Sequence, residues 1–487
     1  MFTRFLCSTL LLVCFIRLSA QTEISSFKIQ LNRESDVSIA QNDTAIFLIF
    51  DYDQAYELIE LDSNLQEVKR YIFEKKDSLI EMRMLRLLAQ QNQLLLYYQA
   101  SLKDQHLSCV RLSLKDKELE PLALNIPYEK DWRLLKSFVH KAHFYLLKVH
   151  EKDHRLRIYK IGDESYETHE FNVPIHDFYH RLKEPGQLYI PMINFDYVLP
   201  KHNTSSEKLY ITDSLAIFSF EDLDSLQTRL FSIDLRTFET KTQLFPYTDS
   251  LKSATKWNAN SLIYNGFIFQ AVVPPKRKHL NLRIRHIESG AIVREQSFAS
   301  DEEIIRTFGT IKARKIKERS YKDRYSYKAK LLPKMKGDIG LLLEHLDAEN
   351  MSFSFGFYRN VRFMPHELAI LGASLAFNLA FVSGQLPLEN DNGLSYNPFV
   401  GVFSFGYGIY GISTINHRSY TYAQAVLDHG HMVLRKGDLN ASRSSKLNNY
   451  IHGQKLFRKG FSQLIFKRGE KLYYGFYHKQ RYKLVVF

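Results

Sequence analysis

An apolar-alternating strand, a polar turn and a second strand recur about every fifty residues along this chain. The segments ELIELDSNLQEV, CVRLSLKDKELE, RLRIYKIGDESYET, RLFSIDLRTFETK and RIRHIESGAIVRE share that design. The last apolar residues before the turns are Leu61, Leu112, Ile161, Ile233 and Ile287, at intervals of 51, 49, 72 and 54. A unit of this length holds about four short strands and cannot bury its apolar surface alone, so copies must stack on one another. The sequence therefore predicts an all-β chain of repeated small sheets.

Composition agrees with strands. Phe (35) and Tyr (29) outnumber Gly (21) and Pro (13), and aromatic side chains suit a pleated, half-buried surface. An apolar share of 45% with 24% charged residues excludes a disordered chain. Residues 1–20 read as a signal peptide. Arg4 precedes an apolar run from Leu6 to Ile16, broken only by Ser8 and Thr9, and Leu18-Ser19-Ala20-Gln21 supplies a cleavage site near Ala20-Gln21. Val13 before Cys14 and Phe15-Ile16-Arg17 after it argue against a lipoprotein signal. The run is too short to span a bilayer, so no transmembrane span is expected in the mature chain.

Cleavage would remove Arg4, Arg17, Cys7 and Cys14, lowering the formal net charge from +13 to +11. Cys109 alone would remain, which excludes an internal disulfide or a paired-cysteine metal site and makes packing the source of stability. Its strand setting predicts a buried, inert thiol. The mature protein is thus expected to be secreted, in the periplasm or outside the cell.

The expected domain runs over 21–487, with clear repeats at 40–300, a helical and basic insertion at 301–337 and irregular units at 338–487. Residues 27–31 form an isolated strand, expected to complete a sheet with Tyr473-Tyr474 or with Lys483–Phe487. The long 72-residue interval holds extra material near Leu188 and between Lys201 and Lys208. After the acidic start Asp301-Glu302-Glu303, the spacing of Ile304, Ile305, Phe308, Ile311 and Ile316 predicts a helix. Ser444–Ile451 reads as another short helix, and Leu368–Val382 and Phe399–Ile412 are rich in Gly and aromatics.

A period near 40–50 with four strands per unit is the mark of propeller blades, and about seven or eight would fit. Over residues 40–300 the units resemble the broad β-propeller superfamily, and most closely uncharacterised exported bacterial propeller-like proteins. They carry no per-blade Trp-Asp signature, di-glycine kelch repeat or Ser-x-Asp box, so no specific family and no catalytic residues are implied. Tandem β-sandwiches are the alternative, since turns every 8–12 residues also suit them. An outer-membrane barrel fits less well, because Lys479, Arg481 and Lys483 would face lipid.

The densest charge lies between Lys312 and Lys336. Lys312, Arg314, Lys315, Lys317, Arg319, Lys322 and Arg324, with Tyr321, Tyr325 and Tyr327 interleaved, suit an anionic ligand. In an exported protein this favours anionic glycan or lipid headgroups, or another envelope protein, over nucleic acid. The plainer reading is a solvated helix and edge hairpin, whose lysines discourage pairing between sheets.

His429 and His431, with Asp428 beside them, would share one face of a strand and are the metal-ligand candidates. His176 and His180 on a helix, or His150 and His154, offer similar spacing. Ordinary surface or hydrogen-bonded histidines account for all three, and no metal or cofactor is expected. Gly372-Ala-Ser374-Leu-Ala376 approximates a nucleophile elbow, but about 110 residues follow it, too few for a hydrolase domain. Glu221, Asp222, Asp224, Asp301–Glu303, Glu389 and Asp391 are available as paired carboxylates for glycoside hydrolysis. The sequence therefore points to a non-enzymatic binding or scaffold protein of the bacterial envelope or exterior, ligand unknown. A glycan-active hydrolase and a structural subunit of an envelope complex are the alternatives.

Overall fold

The computed structural model describes most of residues 23–361 and 417–487. Residues 1–22 and 362–416 lie outside the described residues, as do shorter stretches including 30–35, 100–106, 196–203, 249–256, 275–278, 325–330, 333–337, 437–445 and 451–462. The signal peptide, the Ser374 elbow, both Gly- and aromatic-rich segments, Glu389 and Asp391 therefore lie outside them. Two compact units divide the chain: Met1–Tyr189 with Ser445–Phe487, and Ile190–Ser444.

In the first unit, strand β1 (Glu23–Lys28) is followed by three antiparallel four-stranded meanders. These are β2 (Asp36–Gln41), β3 (Ile46–Asp51), β4 (Ala55–Leu61) and β5 (Glu67–Glu74); β6 (Arg83–Ala89), β7 (Gln93–Gln99), β8 (Leu107–Ser113) and β9 (Glu118–Ile126); and β10 (Trp132–His140), β11 (His143–His150), β12 (Arg155–Ile161) and β13 (Tyr166–Asn172). Helix α1 (Phe178–Arg181) and the short hairpin β14 (Lys183–Glu184) and β15 (Gln187–Leu188) follow them. This added material accounts for part of the long interval in the repeat.

The second unit holds β16 (Glu207–Ile211), β17 (Leu215–Asp222), β18 (Gln227–Asp234) and β19 (Thr240–Pro246), then β20 (Asn258–Tyr264), β21 (Phe267–Val273), β22 (Leu280–His286) and β23 (Ile292–Phe298). After helix α2 (Asp301–Phe308) comes a larger sheet of β24 (Ile311–Lys317), β25 (Ser320–Arg324), β26 (Asp338–His345), β27 (Asn350–Val361), β28 (His417–Asp428) and β29 (Val433–Arg435). Its order is β25-β24-β28-β27-β26, with β29 paired to β28. The chain ends, back in the first unit, with β30 (Leu464–Arg468), β31 (Lys471–His478) and β32 (Arg481–Val486).

The two chain ends build one sheet together, in the order β1-β32-β31-β30. Ser26 stands opposite Lys483 and Lys28 opposite Arg481, so the C-terminal segment is the partner of the isolated first strand. Lys483 Nζ reaches Glu23 Oε2 at 2.7 Å, and Arg481 donates to the Ser26 carbonyl at 2.6 Å.

Packing explains the hydropathy of each meander. Second strands such as IFLIFD and QLLLYYQ are buried almost throughout, because both of their faces meet a neighbouring sheet. Alternate residues of β3 divide between two cores. Phe47 and Ile49 pack with Leu94, Leu96 and Tyr98, whereas Ile46, Leu48 and Phe50 pack with Phe27, Tyr482 and Leu484. The next blade repeats the scheme, with Leu95 and Tyr97 of β7 and Cys109 of β8 packed with Phe144, Leu146 and Tyr159. Cys109 is buried, as its strand setting predicted.

Fourth strands face water on one side and alternate, which is why Val68, Ile72, Leu244 and Ile292 are exposed without disrupting a core. First strands are where adjacent sheets meet: β6 touches β2 and β10, and β20 touches β26. These sheets are propeller blades. The fold is an all-β propeller of about seven blades; among the described residues, six are four-stranded and one is enlarged.

The expected helix through Ile316 is shorter than its periodicity suggested. Ser300 caps α2 by accepting the Glu303 N–H at 3.2 Å, and the Glu303 carboxylate accepts the Ala299 N–H at 2.7 Å. Gly309, at φ 86°, then ends the helix after Phe308, and Ile311–Lys317 pairs with β28 as a strand. Ile311 serves the core from a strand as well as it would from a helix, so spacing alone did not separate the two.

Candidate functional site

The basic segment is a strand hairpin rather than a helix with a hairpin. Lys312, Arg314, Lys315 and Lys317 lie on β24, and Tyr321, Lys322 and Arg324 on β25 at the sheet edge. In register, Lys315 stands opposite Lys322, Arg314 opposite Asp323, and Ile316 opposite Tyr321. Arg319, Tyr325 and Tyr327 lie outside the described residues.

None of the histidine spacings forms the geometry expected of it. Strand β28 ends at Asp428, whose Oδ1 accepts the N–H groups of Gly430 (3.0 Å) and His431 (3.1 Å), so His431 sits on a turn. It cannot share a strand face with His429, which itself lies outside the described residues. His431 Nδ1 meets Asp428 Oδ2 at 3.2 Å on an exposed surface.

His176 precedes α1 and pairs with Asp177 at 3.0 Å, so it shares no helix face with His180. His150 turns inward against Trp132, with ring centroids 5.1 Å apart, and its Nδ1 accepts the Asp153 N–H. His154 instead approaches His176, at 6.0 Å between centroids. Among the described residues, no group of three or more His, Cys, Asp or Glu side chains is arranged to hold a metal ion.

The candidate carboxylates have structural partners. Asp222 accepts from Arg229 Nη2 (3.0 Å) and the Ser225 N–H (3.1 Å). Despite partial burial, those hydrogen bonds hold its carboxyl below the usual range. Asp301 Oδ1 accepts the N–H groups of Leu331 (3.0 Å) and Leu332 (2.9 Å), and Glu303 belongs to the α2 cap.

Glu221 is the most heavily engaged carboxylate. It is buried and accepts from the Ser261 N–H (2.7 Å), Ser261 Oγ (2.5 Å), Thr228 Oγ1 (3.0 Å) and the Tyr247 hydroxyl. Burial, followed by the Glu221 charge, pushes the Tyr247 phenol well above its ordinary value. Glu221 therefore ties the β16–β19 and β20–β23 blades together and fixes Tyr247 from behind.

In front of Tyr247 lies a cleft of about 420 Å³, lined also by Thr248, Trp257, Pro274, His279, Asn281, Arg283 and Glu295. Arg283 and Glu295 stand opposite each other in register and form a two-point ion pair, with Nη2 and Nε at 2.5 and 3.0 Å from Oε1. Trp257 packs against Leu226, Tyr247, Ala259 and Val272. Its buried Nε1 donor has no acceptor among the described residues. Two aromatic walls beside fixed polar side chains suit a flat, hydroxyl-bearing ligand, which stacks on the rings and hydrogen-bonds at its edges. The sequence reading missed this cleft; its one local signal was Trp257, one of only two tryptophans.

Solved structures to which the chain is similar include the Dos1 propeller, at TM-score 0.29 and 9% identity over 65% of each chain. Others are a prolyl endopeptidase (0.31, 8%, covering 66% of this chain and 39% of that one) and an oligogalacturonate lyase in complex with manganese (0.28, 10%, covering 57% and 74%). The chain thus spans 65% and 39% of the first two. No family model and no curated protein matches the sequence. The chain has the β-propeller fold. Its own sheets carry that statement, since superpositions this loose carry no argument about activity. Among the described residues, no helix is long and apolar enough to cross a membrane.

Proposed function

We propose that this chain is an exported, non-enzymatic binding or scaffold protein of the bacterial envelope or exterior. Stacked blades supply a rigid platform, and the clefts and edges between their strands supply recognition. The observation that carries this reading is the engagement of the carboxylates: Asp222 and Glu303, the leading acid–base candidates for a hydrolase, are occupied by Arg229, Ser225 and the α2 cap. The Tyr247–Trp257 cleft is the proposed site for an uncharged part of a glycan, and the β24–β25 hairpin the contact for its anionic groups or for lipid headgroups.

The test combines localisation with binding. Fractionation should recover the chain outside the cytosol with Gln21 as its first residue, and immobilised polysaccharides should retain it. Trp257→Ala should weaken that retention about tenfold, the usual cost of an aromatic stacking contact. Neutralising Lys312, Arg314, Lys315, Lys317, Lys322 and Arg324 should flatten its salt dependence. New reducing ends released from a polysaccharide and abolished by Asp222→Asn would replace this reading with the hydrolase.

A further inference from the structure

Two histidines from different predicted pairs meet in the first unit. His154 lies in the turn between β11 and β12, and His176 in the link between β13 and α1. Their ring centroids are 6.0 Å apart, with the planes tilted by 36°. Both segments are anchored from beneath. The Val173 N–H donates to the His154 carbonyl at 2.6 Å, and Val173, Ile175 and Phe178 are buried, which leaves His176 on the solvent side of the link. In the turn, the Asp153 N–H donates to His150 Nδ1 at 3.1 Å, and Asp153 Oδ2 accepts from Arg155 Nη2 at 2.6 Å. The two rings are thus carried by fixed backbone.

Both rings keep a nitrogen to offer. His176 Nδ1 lies 3.0 Å from Asp177 Oδ2, and a carboxylate there holds the proton on Nδ1 and leaves the lone pair on Nε2. Among the described residues, neither ring nitrogen of His154 has a hydrogen-bond partner. Both side chains are open to solvent, that of His176 by 88%. The Asp177 carboxylate also adds negative charge beside the pair.

We propose that His154 and His176 form a binding site for one divalent transition-metal ion. Imidazole suits Cu2+, Ni2+ and Zn2+, and copper should bind most tightly because affinity across this series peaks there. Two imidazoles sharing such an ion at about 2.1 Å per nitrogen stand roughly 5–6.5 Å apart between centroids, over angles from tetrahedral to linear. The observed 6.0 Å falls in that range, so small side-chain rotations bring both nitrogens to one ion. Asp177 is a positioning residue, which fixes the His176 tautomer and raises its basicity. Among the described residues, no third His, Cys, Asp or Glu is placed to join the pair as a ligand, so water fills the remaining positions and the ion stays exchangeable. Once bound, it would clip the β11–β12 turn to the β13–α1 link. The site stands whether or not the Tyr247–Trp257 cleft binds a glycan.

Equilibrium dialysis of the untagged mature chain at pH 7 against the chlorides of Cu2+, Ni2+ and Zn2+, with Mg2+ as the control, tests it. Saturable binding is expected, tightest for Cu2+. Asp177→Asn should weaken it about tenfold, the usual cost of removing a carboxylate behind a ligating histidine. His154→Ala and His176→Ala should each weaken it further than that, and His431→Ala should leave it unchanged. Pulsed electron paramagnetic resonance of the copper complex should show two coordinated imidazoles, and one in either single histidine variant. Both histidines are exposed, so these variants should melt with the parent when metal is absent, while the metal-induced rise in melting temperature disappears. Binding no stronger than that of Mg2+, a single imidazole on copper in the parent, or copper binding that survives loss of both histidines would overturn the proposal.

Discussion

Ser38, Arg86, Lys136, Lys208 and Asn260 take the same ladder position on the first strands of their blades, each eleven residues before its register partner on the second strand, and the two units treat it oppositely. In the second, the buried Lys208 ammonium donates to Asn260 Oδ1 on the next blade, and Asn260 Nδ2 donates to the Ile339 carbonyl at 2.5 Å. Burial lowers Lys208 to about 8, while the charges of Glu221 and then Glu207 act to raise it. In the first unit, Lys136 is lowered similarly by burial and by a like charge, Arg86, with no carboxylate opposing them. One arrangement closes on itself and stitches three blades together; in the other, the Lys136 ammonium meets the Tyr189 ring at 5.8 Å. The repeat therefore supplies a place for a polar side chain, and its neighbours decide whether that place joins a closed network.

The largest effect should follow from breaking the closed arrangement. Glu221→Ala strands the Ser261, Thr228 and Tyr247 donors and removes the nearby counter-charge of Lys208. It should cost about 3–5 kcal/mol in urea unfolding, the usual penalty for removing one member of a buried charged network. A loss below 1 kcal/mol would show that Glu221 is not the tie between these blades.

The second test is pH. Because folding lowers Lys208 from its ordinary 10.5 to about 8, the unfolded chain binds more protons between those values. Stability should therefore rise with pH from about 8 toward 10, by up to about 3 kcal/mol from this residue over its full range. Above pH 10 the trend should reverse, because buried phenols such as Tyr98, Tyr247 and Tyr482 are raised well above their ordinary value and resist ionising in the folded chain. Melting temperatures from pH 7 to 11 check both limbs; Lys136, lowered likewise, adds to the rising one, so Lys208→Met should reduce it and Lys208→Met with Lys136→Met should flatten it.

A smaller effect separates the two lysines. Lys136→Met should stabilise by about 1 kcal/mol at pH 7, since it removes a buried charge repelled by Arg86. Lys208→Met leaves Asn260 Oδ1 without its donor, and should not match that gain. The smallest concerns the first member of the series. Ser38 is buried and its hydroxyl has no hydrogen-bond partner among the described residues, so Ser38→Ala should be neutral or stabilising by less than about 1 kcal/mol. A clear loss of stability in thermal unfolding would reveal a partner for that hydroxyl.

Much of the fold was legible because each blade repeats the same hydropathy. The buried second strand, the polar turn and the alternating outer strand recur from Ile46 to Phe298, and the pairing of the chain ends could be read from two isolated apolar strands. After Ser300, legibility fails for local reasons. Helical spacing continues across Gly309 into a strand, and a single Asx turn at Asp428 removes His431 from the strand on which its metal geometry depended.

The candidate sites were harder to read. Tyr247, Trp257, Asn281 and Glu295 converge through cross-strand register and blade packing, which no short motif records. The polar ladder position is filled by Ser, Arg, Lys, Lys and Asn in turn, so the repeat conserves a place and not a residue type. Bulges at Leu85 and Leu135 also shift the side-chain alternation that would have exposed it.

The ionisation of Lys136 and Lys208, followed by NMR of 13Cε-labelled lysine in the parent and in Glu221→Gln, tests the contrast most directly. Removing the Glu221 charge should lower the Lys208 value below about 8 while Lys136 stays where it is. Equal movement of both lysines, or of neither, would contradict the account.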